Sequence, residues 1–134
     1  TADIPFISVQ PHHWRSLKTV SSKRAVPLVG ASLWSAHRIV SNASSEFAFP
    51  RYCSPEGHKA DSASNALNKW MRPHVQKGGV IHSFRHSIRD RLREVECPSD
   101  IIDQIGGWQS AGVGQSYGEG YSIKVMHKWL SRAC

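Results

Sequence analysis

The chain has no apolar run approaching the length needed to cross a bilayer, and no charged-then-apolar leader. That argues against a membrane span, and no signal peptide is visible. Cysteine is scarce, three in 134 residues, and no two form a Cys-x-x-Cys pair. A disulfide framework is excluded, and a structural zinc site is disfavoured despite eight histidines. The usage suits a reducing cytoplasm. Negative charge is also in short supply: ten acids face seventeen Lys and Arg, a formal net charge of +7. This balance points to a polyanionic partner, nucleic acid first and an anionic membrane surface second. There is no initiator methionine; the chain opens Thr1-Ala2-Asp3, as a fragment or processed product would. No internal repeat or low-complexity tract is present.

What is there suffices for one core. Hydrophobic residues make up 40% of the chain, with five tryptophans, so residues 1–134 are expected to form a single domain. Phe6-Ile7-Ser8-Val9 alternates at period two and reads as a strand. Trp14 to Lys18 and Arg24 to Leu28 flank the polar turn Thr19-Val20-Ser21-Ser22 and read as a hairpin. Ala31 to Ile39 reads as a helix and 43–59 as a loop. Asp61 is placed to cap a helix to Arg72, with Ala63, Leu67 and Trp70 on one face. Phe84, Ile88, Leu92 and Val95 form one buried stripe of the next helix, which Cys97-Pro98 ends. A short helix from Asp100 to Ile105, capped by Ser99, stops at Gly106-Gly107. Ile123, Met126, Trp129 and Leu130 make the last segment amphipathic. The expected class is α+β, mainly helical, with a small antiparallel sheet packed on a helical bundle.

The chemistry-bearing residues lie in the second half. His82 and Arg85 are three apart, and Arg89 is one turn beyond, so one helix face is cationic beside the core stripe. A guanidinium binds phosphate bidentately, and an imidazole moves protons near neutral pH. Ile105-Gly106-Gly107-Trp108 follows, and Tyr117 comes nine residues after Trp108. Arginine, histidine and tyrosine together can break a phosphodiester without a metal.

The order His82-Ser83-Phe84-Arg85, Gly106-Gly107-Trp108, then Tyr117 resembles the catalytic half of the tyrosine recombinases, the phage-integrase family. Ser16-Leu17-Lys18-Thr19, followed by Lys23-Arg24-Ala25-Val26-Pro27-Leu28, resembles that family's Lys-Thr turn and Val-Pro-Leu strand. The resemblance implies that Tyr117 attacks the scissile phosphate, forming a 3′-phosphotyrosine and releasing a 5′-hydroxyl. Arg85 would stabilise the phosphoryl transition state, and His82 would assist proton transfer. Trp108, at a position that is histidine in most members, would donate its indole N–H to a phosphate oxygen. Lys18 would protonate the leaving oxygen, with Lys23 as the alternative. Tyr121 is a rival nucleophile at the wrong spacing. Arg15, Lys23, Arg24, His86 and Arg89 would contact DNA.

The family's upstream arginine and DNA-clamping domain have no counterpart in this sequence. The expectation is therefore the C-terminal part of an integrase catalytic domain, inactive alone, from a prophage or related element in a bacterial cytoplasm. Double-stranded DNA is the expected partner, with self-association on it, in a tetrameric synapse for the whole enzyme; the apolar stripe of residues 122–133 would serve either that contact or packing on its own domain. No cofactor and no metal is implied. The rival readings are a non-catalytic basic DNA-binding module and a type IB topoisomerase-like domain. A metal-dependent nuclease rests on histidine count alone.

Overall fold

The computed structural model describes residues 3–13, 15–109 and 120–134. Among these residues, five α-helices and two small antiparallel sheets follow one another in an α+β arrangement. Strand β1 (Phe6–Val9) pairs with β2 (Arg24–Pro27), in a register that sets Ile7 opposite Val26. Leu28 N–H donates to Pro5 O at 2.9 Å and extends the ladder.

The hairpin arms are thus not those expected. The partner of β2 is Phe6–Val9, and residues 10–23 connect the strands. Phe6-Ile7-Ser8-Val9 offers the β-branched and aromatic residues that a pleated pair needs, whereas Arg15-Ser16-Leu17-Lys18 has neither. Arg15 instead closes a tight turn with His12, through reciprocal backbone bonds of 2.8 and 3.1 Å.

Helix α1 (Gly30–Ser41) begins where Ser32 reaches back to Val29, accepting from its N–H at 3.0 Å and donating to its carbonyl at 2.6 Å. It buries no residue. The segment that follows, expected to be a loop, holds one tiny hairpin, β3 (Cys53–Ser54) with β4 (Gly57–His58). Helix α2 (Ala60–Met71) has Asp61 in its first turn, where a carboxylate suits the helix dipole, but not as its cap. A short 3-10 turn at Arg72–His74 holds Pro73. The expected inner face of α2 is turned out: Leu67 and Trp70 are exposed, and Met71 is its buried residue. The anchor is polar, with Asn68 Oδ1 accepting from Ile81 N–H at 2.7 Å.

The core sits among β2, α3 (Ser83–Glu94), α4 (Ser99–Gly106) and α5 (Ile123–Ala133). Val29, Leu92, Cys97, Ile101, Ile102, Ile105, Met126 and Leu130 form it, with Ile88, Val95, Ile123 and Trp129 packed around. Each such aliphatic side chain contributes about 1.5–3 kcal/mol by leaving water. Phe84 is a correction to the stripe, being 64% exposed in the first turn of α3, at the rim of an open groove with Met71, Val75 and Val80. Ser99 opens α4 as its first helical residue, with Pro98 at the cap position. Helix α5 is capped by Ser122, whose Oγ accepts from Val125 N–H at 3.3 Å. Among the described residues, no helix is long and apolar enough to cross a membrane.

Candidate anion-binding site at the end of helix α4

The site is built on the glycine pair that ends α4. Gly107 takes φ +66°, the left-handed conformation that closes a helix, and its N–H donates to Asp103 O. Trp108 N–H donates to the same carbonyl at 2.9 Å. The chain then folds back so that the indole lies on Gly106, where a methyl group would overlap ring atoms Cζ3 and Cε3. Glycine at 106 is therefore what admits the ring. Trp108 is half-buried and rests partly against the core.

Two arginines of α3 stand over that ring. Arg85 Cζ lies 4.4 Å from the centroid and Arg89 Cζ 3.9 Å. Contacts of this kind contribute about 0.5–1 kcal/mol when exposed and about 2 when desolvated. Neither arginine is ion-paired with a carboxylate among the described residues. A third guanidinium is close by. Arg24 donates from Nε to Ile105 O at 2.9 Å and from Nη1 to Ser22 O at 2.7 Å. It thereby satisfies a carbonyl at the α4 C-terminus, where a cation also suits the helix dipole. Burial first, and then the charge of Arg85, pulls Arg24 below the ordinary guanidinium range.

Arg24 also carries the turn expected to hold the general acid. That turn packs its hydroxyls together, Thr19 Oγ1 lying 3.0 Å from Ser21 Oγ and 2.9 Å from Ser22 Oγ. Ser21 Oγ reaches Gly107 O at 3.4 Å. Lys18 and Lys23, both exposed, flank this turn. The Lys-Thr segment and the Gly-Gly-Trp segment, more than eighty residues apart in sequence, are thus neighbours.

His82 is the residue just before α3, not within it, and its ring meets that of His86 edge-on at 5.4 Å. Both are exposed and lie on the side of α3 that carries Arg85 and Arg89. The backbone of Arg15 is tied to His12 in its turn. Tyr117 lies outside the described residues.

Tyr121, the rival nucleophile, is fully engaged. Its hydroxyl donates to Asp100 Oδ2 at 2.5 Å. Its backbone N–H donates to Gln104 Oε1 at 2.7 Å, and its carbonyl accepts from Gln104 Nε2 at 2.8 Å. The bond to Asp100 is the main cause that raises its pKa, so the hydroxyl is held neutral as a donor. This Asp100–Gln104–Tyr121 group has no local signal in the sequence, because its partners are 17 and 21 residues apart.

Among the described residues, no three His, Cys, Asp or Glu side chains gather into a metal-sized cluster. No family model, curated protein or solved structure matches this chain.

Proposed function

We propose that the chain is the C-terminal part of the catalytic domain of a site-specific DNA recombinase, cutting and rejoining strands through a 3′-phosphotyrosine. The observation that supports this most is the meeting of Arg85 and Arg89 at Trp108, with Arg24 and the Lys18–Lys23 turn against the neighbouring Ile105–Gly107 backbone. Two sequence motifs that resemble the tyrosine recombinases thus contribute to one cationic site. Oriented positive charge on rigid supports is what a phosphoryl transition state requires.

In this reading Arg85 binds the non-bridging oxygens of the scissile phosphate. Lys18, or Lys23, delivers a proton to the leaving 5′-oxygen. His82 accepts or returns the tyrosine proton, and Tyr117 is the nucleophile. The engagement of Tyr121 with Asp100 disfavours it for that role. Arg24 acts as a brace more than as a free DNA ligand, because two of its nitrogens already hold backbone carbonyls.

The test is a nicked suicide substrate offered to the protein expressed from its complete reading frame. A denaturation-resistant protein–DNA adduct is expected, lost in Tyr117→Phe and retained in Tyr121→Phe. DNA binding with no adduct would instead identify a non-catalytic basic DNA-binding module. Relaxation of supercoils without exchange between sites would identify a topoisomerase.

A further inference from the structure

The resemblance gives Trp108 one task, an indole N–H offered to a phosphate oxygen. The geometry points to a different one: Trp108 works through its π system, holding Arg85 and Arg89 as a two-guanidinium clamp for a single phosphate group. Arg89 is then a phosphate-binding residue in its own right. This inference rests on reading the site as one for phosphodiesters.

Arg85 and Arg89 are one turn apart on α3, and like charges at that spacing disfavour each other. Left alone, two long side chains would spread into solvent. Here both guanidinium carbons lie within 4.4 Å of one ring centroid. The indole quadrupole attracts each cation and offsets the repulsion. The two charges are thereby gathered at one ring, the arrangement that a single bridging phosphate would use.

The ring is a firm support. It is seated on Gly106, leans on the core, and follows a backbone N–H fixed to Asp103 O. Arg24 adds a third positive charge that cannot swing away, because Ile105 O and Ser22 O hold it. The pull of Arg85 on the Arg24 pKa agrees with their proximity. Arg85 and Arg89 have no carboxylate partner among the described residues. A fixed cation cluster without an internal counter-ion gains most from an external anion. The planar guanidinium fork matches phosphate geometry, so two forks bring four N–H donors to one group.

The experiment titrates inorganic phosphate into the 134-residue chain at low ionic strength, following the arginine Nε–H signals by NMR. Thermal unfolding of each variant is recorded alongside. Arg85 and Arg89 signals are expected to move together. Arg89→Gln should weaken phosphate about tenfold, the scale of a charged hydrogen-bonding partner. Trp108→Phe keeps an aromatic face but no N–H, and should stay within about threefold of the parent. Trp108→Ala should lose as much as Arg89→Gln or more.

Unchanged affinity in Arg89→Gln would overturn the clamp. So would Trp108→Phe, still folded, binding as poorly as Trp108→Ala, since the N–H would then be what matters. The DNA adduct assay separates this inference from the reading beneath it. Arg89-dependent phosphate binding with no Tyr117 adduct refutes the recombinase and leaves the clamp standing. A Tyr117 adduct with phosphate affinity indifferent to Arg89 refutes the clamp and leaves the recombinase standing.

Discussion

A methyl group on Gly106 would collide with the Trp108 ring, and one on Gly107 would sit 2.6 Å from Arg24 Nη1. These two positions define the site more tightly than its charged residues do. Gly106→Ala favours the helix by about 1 kcal/mol in propensity, yet it must expel the indole. Net destabilisation and an altered tryptophan emission are expected in urea unfolding. Gly107→Ala carries the left-handed penalty, about 1–2 kcal/mol, before Arg24 is displaced. The motif Gly-Gly-Trp was legible in the sequence. The reason for it was not, because seating a ring on the preceding helix requires the fold.

Cys97 supplies a prediction at the same scale. Burial, and secondarily the charge of Asp100, raises its pKa from 9.0 to about 11. The folded state keeps the thiol neutral where the unfolded chain would ionise. Its contribution to stability is therefore full below about pH 9 and lost as pH climbs toward 11. Tyr121, also raised, acts with the same sign. Urea unfolding across this window should show falling stability, less steep in Cys97→Ala; an unaltered slope would mean that Cys97 ionises as easily folded as unfolded.

At the scale of elements, α3 was read well in extent and imperfectly in facing. Its stripe holds from Ile88 through fully buried Leu92 to Val95, but Phe84 lies outside it. Periodicity fixes which residues share a face, not how far neighbouring elements cover that face. Leu92→Ala should cost about 2–5 kcal/mol, and Phe84→Ala less than about 0.5, by chemical unfolding of the monomer. In α2, Asn68 Oδ1 accepts from Ile81 N–H, a polar tie that an apolar pattern cannot reveal.

Helix α5 bears on assembly. Met126 and Leu130 are 3% and 4% exposed within this chain's own core. Of the two roles open to this stripe, these residues take the one within the chain's own fold. Truncation after Tyr121 should lower the melting temperature of the monomer sharply, as read by circular dichroism.

For the whole molecule, charge and packing are separately distributed. The +7 net charge was plain from composition, and it predicts DNA affinity that falls steeply as salt rises. A fluorescence titration over several salt concentrations checks this; a flat response would remove phosphate contacts from the account. Fold class was equally legible, because helix periods and glycine or proline breaks are local. The pairing of β1 with β2 across residues 10–23 was not, since several segments could have competed for the same edge.

Helix α1 illustrates a further property of this uneven packing. Leu28 and Val29 fasten the chain just before it, but its own residues stay unburied, Trp34 and Val40 being 63% and 75% exposed. Twelve residues with so little tertiary support sit near the margin at which a helix persists in water. Opening it would leave the α3–α4–α5 core undisturbed, so the molecule has two tiers of cooperativity. In deuterium oxide the α1 amides would exchange within the earliest time points. Those around Leu92 and Ile102 would wait for global unfolding, and would alone report its free energy.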